Sequence, residues 1–137
     1  MQNSEGTSWK KWYRTPWHIG SALAVVGGLL SSAFLVSIAG GGIDSAVSGV
    51  GYWVILPYIA FSLPIYLAND LVTGRIAFVG AAILSALGIG VYLDAAMFSS
   101  DGQSGLAFFF FPLVQIAITI ACMIAIAIMR TRSAIGK

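Results

Sequence analysis

The sequence predicts an all-α membrane protein, a four-transmembrane-helix bundle whose spans run up-down-up-down. Of its 137 residues, 58% are hydrophobic and 9% are charged, and a soluble domain of this size could not bury so much apolar surface. Four uncharged apolar stretches are each about as long as the ~20 residues that a helix needs to cross a bilayer. Strict alternation of apolar and polar residues is missing, which disfavours a β-barrel.

The basic residues all flank these stretches on one side of the membrane. Three of them precede the first stretch, one lies between the second and third, and three follow the fourth: Lys10, Lys11, Arg14, Arg75, Arg130, Arg132 and Lys137. Short loops rich in lysine and arginine stay in the cytoplasm. We therefore expect a multi-pass protein of a bacterial-type inner membrane, with both termini cytoplasmic.

The first element, residues 1–18, has the pattern of an amphipathic helix lying in the membrane interface. Helical spacing places its aromatic residues on one face and its cations on the other: Trp9, Trp12, Tyr13 and Trp17 against Lys10, Lys11 and Arg14. Aromatic rings at head-group depth and cations near lipid phosphates are typical of a membrane-interface anchor. Docking of a partner is the alternative. Pro16 is expected to bend the chain into the first span.

The predicted spans are residues 19–39, 50–68, 76–93 and 106–129, and residues 130–137 form a basic cytoplasmic tail. The first span is longer than the apolar region of a usual secretory signal. The outer connections are short and rich in glycine and serine. Because the inner connection is also short, the second and third spans should be antiparallel neighbours.

Small residues at helical spacing mark the expected packing faces. Helices in lipid associate where small side chains let their backbones approach. The first span carries one such row and the third carries two: Gly20, Ala24, Gly28 and Ser32; Ala77, Ala81 and Ser85; and Ala82, Ala86 and Gly90. We expect these two spans to form the closely packed centre, although the same rows could serve a second protein. The fourth span carries Ala117, Ala121 and Ala125 on the face expected to pack.

Two prolines, Pro57 and Pro64, lie seven residues apart in the second span and should bend it. A bent helix can border a cavity. Bends are also tolerated in membranes for shape alone, because neighbouring groups satisfy the freed carbonyls.

The polar residues of the membrane interior are few. Gln115 and Thr119 share a face of the fourth span, and Asp94 ends the third. An amide in hydrocarbon favours a bond to another helix, so adhesion between helices is one interpretation. A polar path through the membrane, bordered by these three residues, is the other.

No reaction centre can be assembled from the titratable residues. His18 is the single histidine and Cys122 the single cysteine, so a histidine metal cluster or a catalytic triad cannot form within one chain. We expect no catalytic residues, no metal and no cofactor. The basic residues cluster at span ends, which suits lipid head groups, and we expect no nucleic-acid partner.

Two functions remain open. The first is a non-enzymatic protein that recognises another integral membrane protein through its helix faces, as an accessory subunit or as an antagonist of a pore-forming toxin. In span number and orientation alone, the chain resembles the four-span immunity proteins that guard bacterial inner membranes. The second is a small transporter or channel working as a homo-oligomer. The first span carries no acidic residue, unlike that of the small multidrug transporters, which disfavours proton-coupled export of cations.

Overall fold

The computed structural model describes residues 16–39, Gly42, Asp44, 49–97 and 104–135. It contains five helices in these ranges: α1 (Pro16–Ala39), α2 (Gly49–Ala60), α3 (Ser62–Leu67), α4 (Leu71–Met97) and α5 (Ser104–Ile135). Four helical stretches are long and apolar enough to cross a membrane, namely α1, α2 with α3, α4, and most of α5. The prediction of an all-α membrane protein with four spans is confirmed.

Two parts of the prediction stay predictions. The direction in which each span threads a bilayer is one. The other is the amphipathic helix of residues 1–18, since six of its seven anchor residues fall outside the described part of the chain: Trp9, Lys10, Lys11, Trp12, Tyr13 and Arg14. Trp17 is described, and it belongs to the first turn of α1.

The third span begins earlier than its hydropathy suggests, at Leu71 rather than Ile76. Asp70 and Thr73 explain the difference. The backbone N–H of Thr73 donates to Asp70 Oδ1 at 2.8 Å, and the backbone N–H of Asp70 donates to Thr73 Oγ1 at 3.2 Å. This reciprocal capping box satisfies donors that the first turn of a helix otherwise leaves open.

The second span is divided into α2 and α3 by a turn at Phe61. Pro64 lies in the first turn of α3, and its ring disfavours a continuous helix across the carbonyl of Ala60, four residues earlier. Pro57 lies inside α2. The carbonyl of Pro57 still accepts the Phe61 backbone N–H at 2.9 Å.

The fourth span is one long helix that passes Pro112 and continues to Ile135, so the basic tail begins as helix. Pro112 lacks the N–H that would close the helix onto Phe108. The Phe108 carbonyl therefore receives no hydrogen bond from residue 112. At the next residue, the Trp53 indole Nε1–H donates to the Phe109 carbonyl at 2.7 Å, which joins α2 to α5.

α4 shares its most extensive contact with α1 and its next with α5, whereas α2, expected beside the third span, packs mainly against α5 and α1. Trp17 at the start of α1 meets Phe78 near the start of α4, whereas Tyr92 near the end of α4 stacks on Phe108 near the start of α5. The core forms two clusters along the bundle, one around Tyr58 and Leu84 and the other around Tyr92. Large apolar side chains cover much of the outer surface, as lipid contact requires.

Candidate functional site

A buried network of polar side chains connects the four spans, and Gln115 on α5 is its centre. The Gln115 amide Nε2 donates to the Tyr58 hydroxyl at 3.1 Å and, more weakly, to the Leu84 carbonyl at 3.4 Å. Its carbonyl oxygen accepts the Tyr92 hydroxyl at 3.0 Å. One side chain therefore joins the second, third and fourth spans.

Tyr58 extends the network to the first span. Its hydroxyl lies 2.8 Å from Ser32 Oγ on α1. Since Gln115 already donates to the Tyr58 oxygen, the Tyr58 hydroxyl hydrogen is available to Ser32. A direct bond between α1 and α4 lies nearby, where Ser85 Oγ donates to the Ala24 carbonyl at 2.7 Å.

Two glycines make room for this network. A Cβ atom added to Gly28 would lie 2.5 Å from Ser85 Oγ and 2.6 Å from the Tyr58 ring. A Cβ atom added to Gly88 would lie 2.7 Å from Gln115 Nε2 and would overlap the Tyr58 hydroxyl. Both positions therefore require glycine because the tyrosine approaches the backbones of α1 and α4.

The network is sealed from its surroundings. Ser32, Tyr58, Tyr92 and Gln115 have 0% exposure. Among the described residues, no buried side-chain nitrogen or oxygen lacks a hydrogen-bond partner. Hydroxyl groups and one amide, without a carboxylate or a cation, are suited to holding helices together, because each group uses its bonding capacity on a neighbouring span.

The three residues proposed to border a polar path occupy different environments. Gln115 is in the network. Thr119 is buried, but its hydroxyl donates to the backbone carbonyl of Gln115 at 3.0 Å and so bonds within its own helix. Asp94 is exposed on α4, and it is Tyr92, two residues earlier, that reaches Gln115.

The small-residue rows divide between the inside and the outside of the bundle. On α1, Gly28 and Ser32 are buried, while Gly20 and Ala24 are half-buried. A Cβ atom on Gly20 would lie 2.8 Å from the Phe78 ring. The first span thus places its row toward the bundle.

On α4, only one of the two expected rows packs inside the bundle, and it is not the row of Ala82, Ala86 and Gly90. Ala82 is half-buried, Ala86 and Gly90 are exposed, and a Cβ atom on Gly90 would have no neighbour within 4 Å. The buried row runs instead through Ala81 and Ser85 to the residues around Tyr92. The bond from Ser85 to the Ala24 carbonyl and the space at Gly88 explain why this row is the buried one, because both orient that face of α4 toward the polar network.

The alanine face of α5 was also expected to pack, and this expectation is wrong. Ala117 and Ala121 are exposed and Ala125 is half-buried, whereas Gln115, Thr119 and Cys122 are buried. The cost of leaving an amide in hydrocarbon outweighs the benefit of small side chains. The polar side of α5 therefore faces the bundle.

A second group of contacts lies at the end of the bundle where α1 and α4 begin. His18 Nε2 lies 2.5 Å from the Ala68 carbonyl, which connects α1 to the connection before α4. The Arg75 guanidinium lies 5.4 Å from the centre of the Trp17 ring. Nearby, the backbone N–H of Thr73 donates to the Asp70 carboxylate, and this hydrogen bond holds the pKa of Asp70 below its ordinary value.

Sequence reasoning missed the two tyrosines of the network. Tyr58 and Tyr92 lie within apolar stretches, where an aromatic ring is expected for its apolar surface alone. The available signal was the hydroxyl group, since a buried tyrosine usually has a hydrogen-bond partner. Two tyrosines and one glutamine on three different spans would have indicated the network.

A scan of protein-family models found no match to this chain, and neither did searches of curated proteins and of solved structures.

Proposed function

We propose that this chain is a non-enzymatic membrane protein that recognises another integral membrane protein through its exposed helix faces. An accessory subunit of a membrane complex or an immunity-type antagonist of a pore-forming toxin would act in this way. The observation that carries the proposal is the sealed network around Gln115. It assigns the polar groups of the membrane interior to holding the bundle together, which leaves the outer surface for function.

The outer surface of α4 offers a place for such recognition. Ala86 and Gly90 are exposed on this helix. Because lipid tails are as apolar as leucine, helices in membranes associate where small side chains allow close contact and not through hydrophobicity alone. Larger apolar residues flank the pair, among them Ile83 and Leu87, which are 46% and 44% exposed. The result is a shallow strip of small side chains between larger ones.

Transport through a homo-oligomer is the alternative. A path formed between copies would have to be lined by residues on the outer surface, because the polar network is sealed within one copy. Asp94 is exposed on α4 and would be the residue to test. The exposed residues of the four spans are otherwise mostly apolar, and this composition favours recognition.

We propose that the end of the bundle that carries Arg75 lies on the cytoplasmic side of an inner membrane. The later part of α5 lies beside the start of α4, because Cys122 Sγ donates to the Ile76 carbonyl at 3.6 Å, and Arg130 follows Cys122 in the same helix. Arg132 follows within the same helix. This grouping of cations is the arrangement that keeps loops in the cytoplasm. A reporter fused after Lys137 should therefore be active only in its cytoplasmic form, and periplasmic activity would contradict the orientation.

Co-purification tests the recognition proposal. Gentle detergent extraction of the tagged protein from its native membrane should recover a second integral membrane protein in stoichiometric amount, identified by mass spectrometry. Ala86→Leu together with Gly90→Leu should abolish this recovery because the strip would be filled. Ala121→Leu is the matched control, since it makes the same change at an exposed position of α5, and recovery should persist.

Gly28 is unsuitable for this test because a side chain there would displace Tyr58 and Ser85. Recovery of only the chain itself would contradict recognition of a foreign protein. A solute flux across reconstituted vesicles, changed by Asp94→Asn, would favour the alternative.

A further inference from the structure

The start of α4 carries a cation held over an aromatic ring. The Arg75 guanidinium carbon lies 5.4 Å from the centre of the Trp17 ring, within the range of a favourable cation–π contact. The Trp17 ring in turn packs edge-on against Phe78, with ring centres 5.5 Å apart and an angle of 63°. Two helices therefore fix the position of one guanidinium group.

The contact with Trp17 does not itself use the hydrogen-bonding groups of Arg75. A cation–π contact uses the flat face of the guanidinium group, whereas its five N–H donors point outward along the edge. Arg75 is exposed and Trp17 is half-buried. A guanidinium group presented in this way matches the geometry of a phosphate, which can accept two parallel N–H donors.

The location indicates which phosphate would meet it. Trp17 and Arg75 lie at the starts of two apolar spans, and tryptophan side chains favour the head-group level of a bilayer. Among the described residues, Arg130 and Arg132 add positive charge at this end, since they follow Cys122, whose Sγ bonds the Ile76 carbonyl at the start of α4, and Asp70 is the carboxylate that precedes α4. The local excess of cations favours anionic lipid over zwitterionic lipid.

We propose that Arg75, supported by Trp17, binds the phosphate of an anionic phospholipid head group in the leaflet at this end of the bundle. The Arg75 donors bind the phosphate oxygens, and the Trp17 ring holds the guanidinium group at the correct depth. The site lies on α1 and α4 alone, so it does not depend on the protein partner proposed above.

Lipid retention in native mass spectrometry tests the site. The protein is purified in a mild detergent with equal amounts of phosphatidylglycerol and phosphatidylcholine that have the same acyl chains. The wild-type protein should retain phosphatidylglycerol preferentially. Arg75→Lys keeps the charge but loses the paired donors and the stacked plane, so affinity for phosphatidylglycerol should fall by roughly three- to tenfold.

Arg132→Lys is the matched control, because it makes the same charge-preserving change at an exposed arginine near the end of α5. Its retention of phosphatidylglycerol should equal that of the wild type. Trp17→Leu should weaken retention as Arg75→Lys does, with circular dichroism verifying that it is folded. Arg75→Lys tests the proposal by itself if Trp17→Leu fails to fold, since the Arg75 side chain is exposed.

Three results would overturn the proposal. Equal losses for Arg75→Lys and Arg132→Lys would show that any arginine at this end acts alike. Equal retention of both lipids by the wild-type protein would remove the preference for anionic head groups. Displacement of bound lipid by millimolar inorganic phosphate would identify a free anion, and not a lipid, as the ligand.

Discussion

Replacing Gln115 with methionine should destabilise the bundle by about 2 to 4 kcal/mol. Methionine keeps much of the length and volume of glutamine, so the change removes the amide with little change in packing. The amide bonds Tyr58 and Tyr92 at 3.1 and 3.0 Å. Bonds between membrane helices contribute about 0.6 kcal/mol on average, so the two together account for roughly 1 kcal/mol.

The remaining cost comes from the hydroxyl group of Tyr92. This hydroxyl donates to the side-chain carbonyl oxygen of Gln115, and Tyr92 has 0% exposure. A buried hydroxyl that loses its acceptor costs about 1 to 3 kcal/mol. Tyr58 suffers less, because its hydroxyl keeps its bond to Ser32.

The assay is SDS-driven unfolding in mixed micelles, followed by near-ultraviolet circular dichroism, which reports the packing of tyrosine and tryptophan rings. Val114→Met is the matched control, since Val114 is adjacent and 49% exposed. The double variant Gln115→Met with Tyr92→Phe has no unpaired Tyr92 hydroxyl. Its loss should therefore be smaller than the two single losses added together.

The reasoning would be refuted in either of two ways. Gln115→Met could be as stable as Val114→Met within about 0.5 kcal/mol, the usual range for surface substitutions. Alternatively, the losses of Gln115→Met and Tyr92→Phe could simply add, which would mean that the two side chains do not interact.

Three further predictions use the same unfolding assay. Gly88→Ala should destabilise the bundle by about 1 to 3 kcal/mol through overpacking against Gln115. Gly90→Ala should be neutral or stabilising by up to about 1 kcal/mol because its surroundings are open. A larger loss of stability for Gly90→Ala than for Gly88→Ala would contradict the structure. Thr119→Val should cost less than about 1 kcal/mol, since the Thr119 hydroxyl bonds only its own helix, and a loss equal to that of Gln115→Met would refute this. The folded-state pKa of Asp70 is lowered from 3.8, so the stability that the Asp70 carboxylate contributes is present above pH 3.8 and is lost as the pH falls through the folded-state pKa. Asp70→Ala should therefore cost about 1 kcal/mol at neutral pH and be as stable as the wild type in acid. An equal difference in stability at all pH values would refute the cap.

The spans could be predicted from sequence because length and hydropathy are sufficient to identify them. Their ends were less predictable, since a helix begins where its first N–H groups find acceptors. The capping box of Asp70 and Thr73 starts α4 at Leu71, within a polar connection that hydropathy reads as a loop. Local hydrogen bonding, not apolar content, determined that boundary.

The choice of packing face on α4 could not be made from spacing. Two rows satisfy the four-residue repeat, one through Ala81 and Ser85 and one through Ala82 and Ala86. Only the first row brings Ser85 to the Ala24 carbonyl and Gly88 beneath Tyr58. The decision therefore depended on partners from other spans, which spacing within one helix does not reveal.

The stability of the bundle, the proposed recognition and the proposed lipid binding depend on three different sets of residues, and this separation has a physical reason. Helices in lipid gain little from hydrophobic association, so the bundle depends on internal polar bonds such as those of Gln115. Groups committed to those bonds cannot also contact a partner without weakening the fold. Recognition is therefore proposed at Ala86 and Gly90, and lipid binding at Arg75, all of which are exposed.

This division predicts that the variants have separable effects. Gln115→Met should lower stability while the surviving folded protein still binds its partner and lipid. Filling the strip at Ala86 should abolish partner recovery with little change in stability, and Arg75→Lys should reduce lipid retention alone. If loss of lipid at Arg75 also abolished partner recovery, the exposed face of α4 would be one combined surface, and the two sites would have to be interpreted as a single site that includes bound lipid.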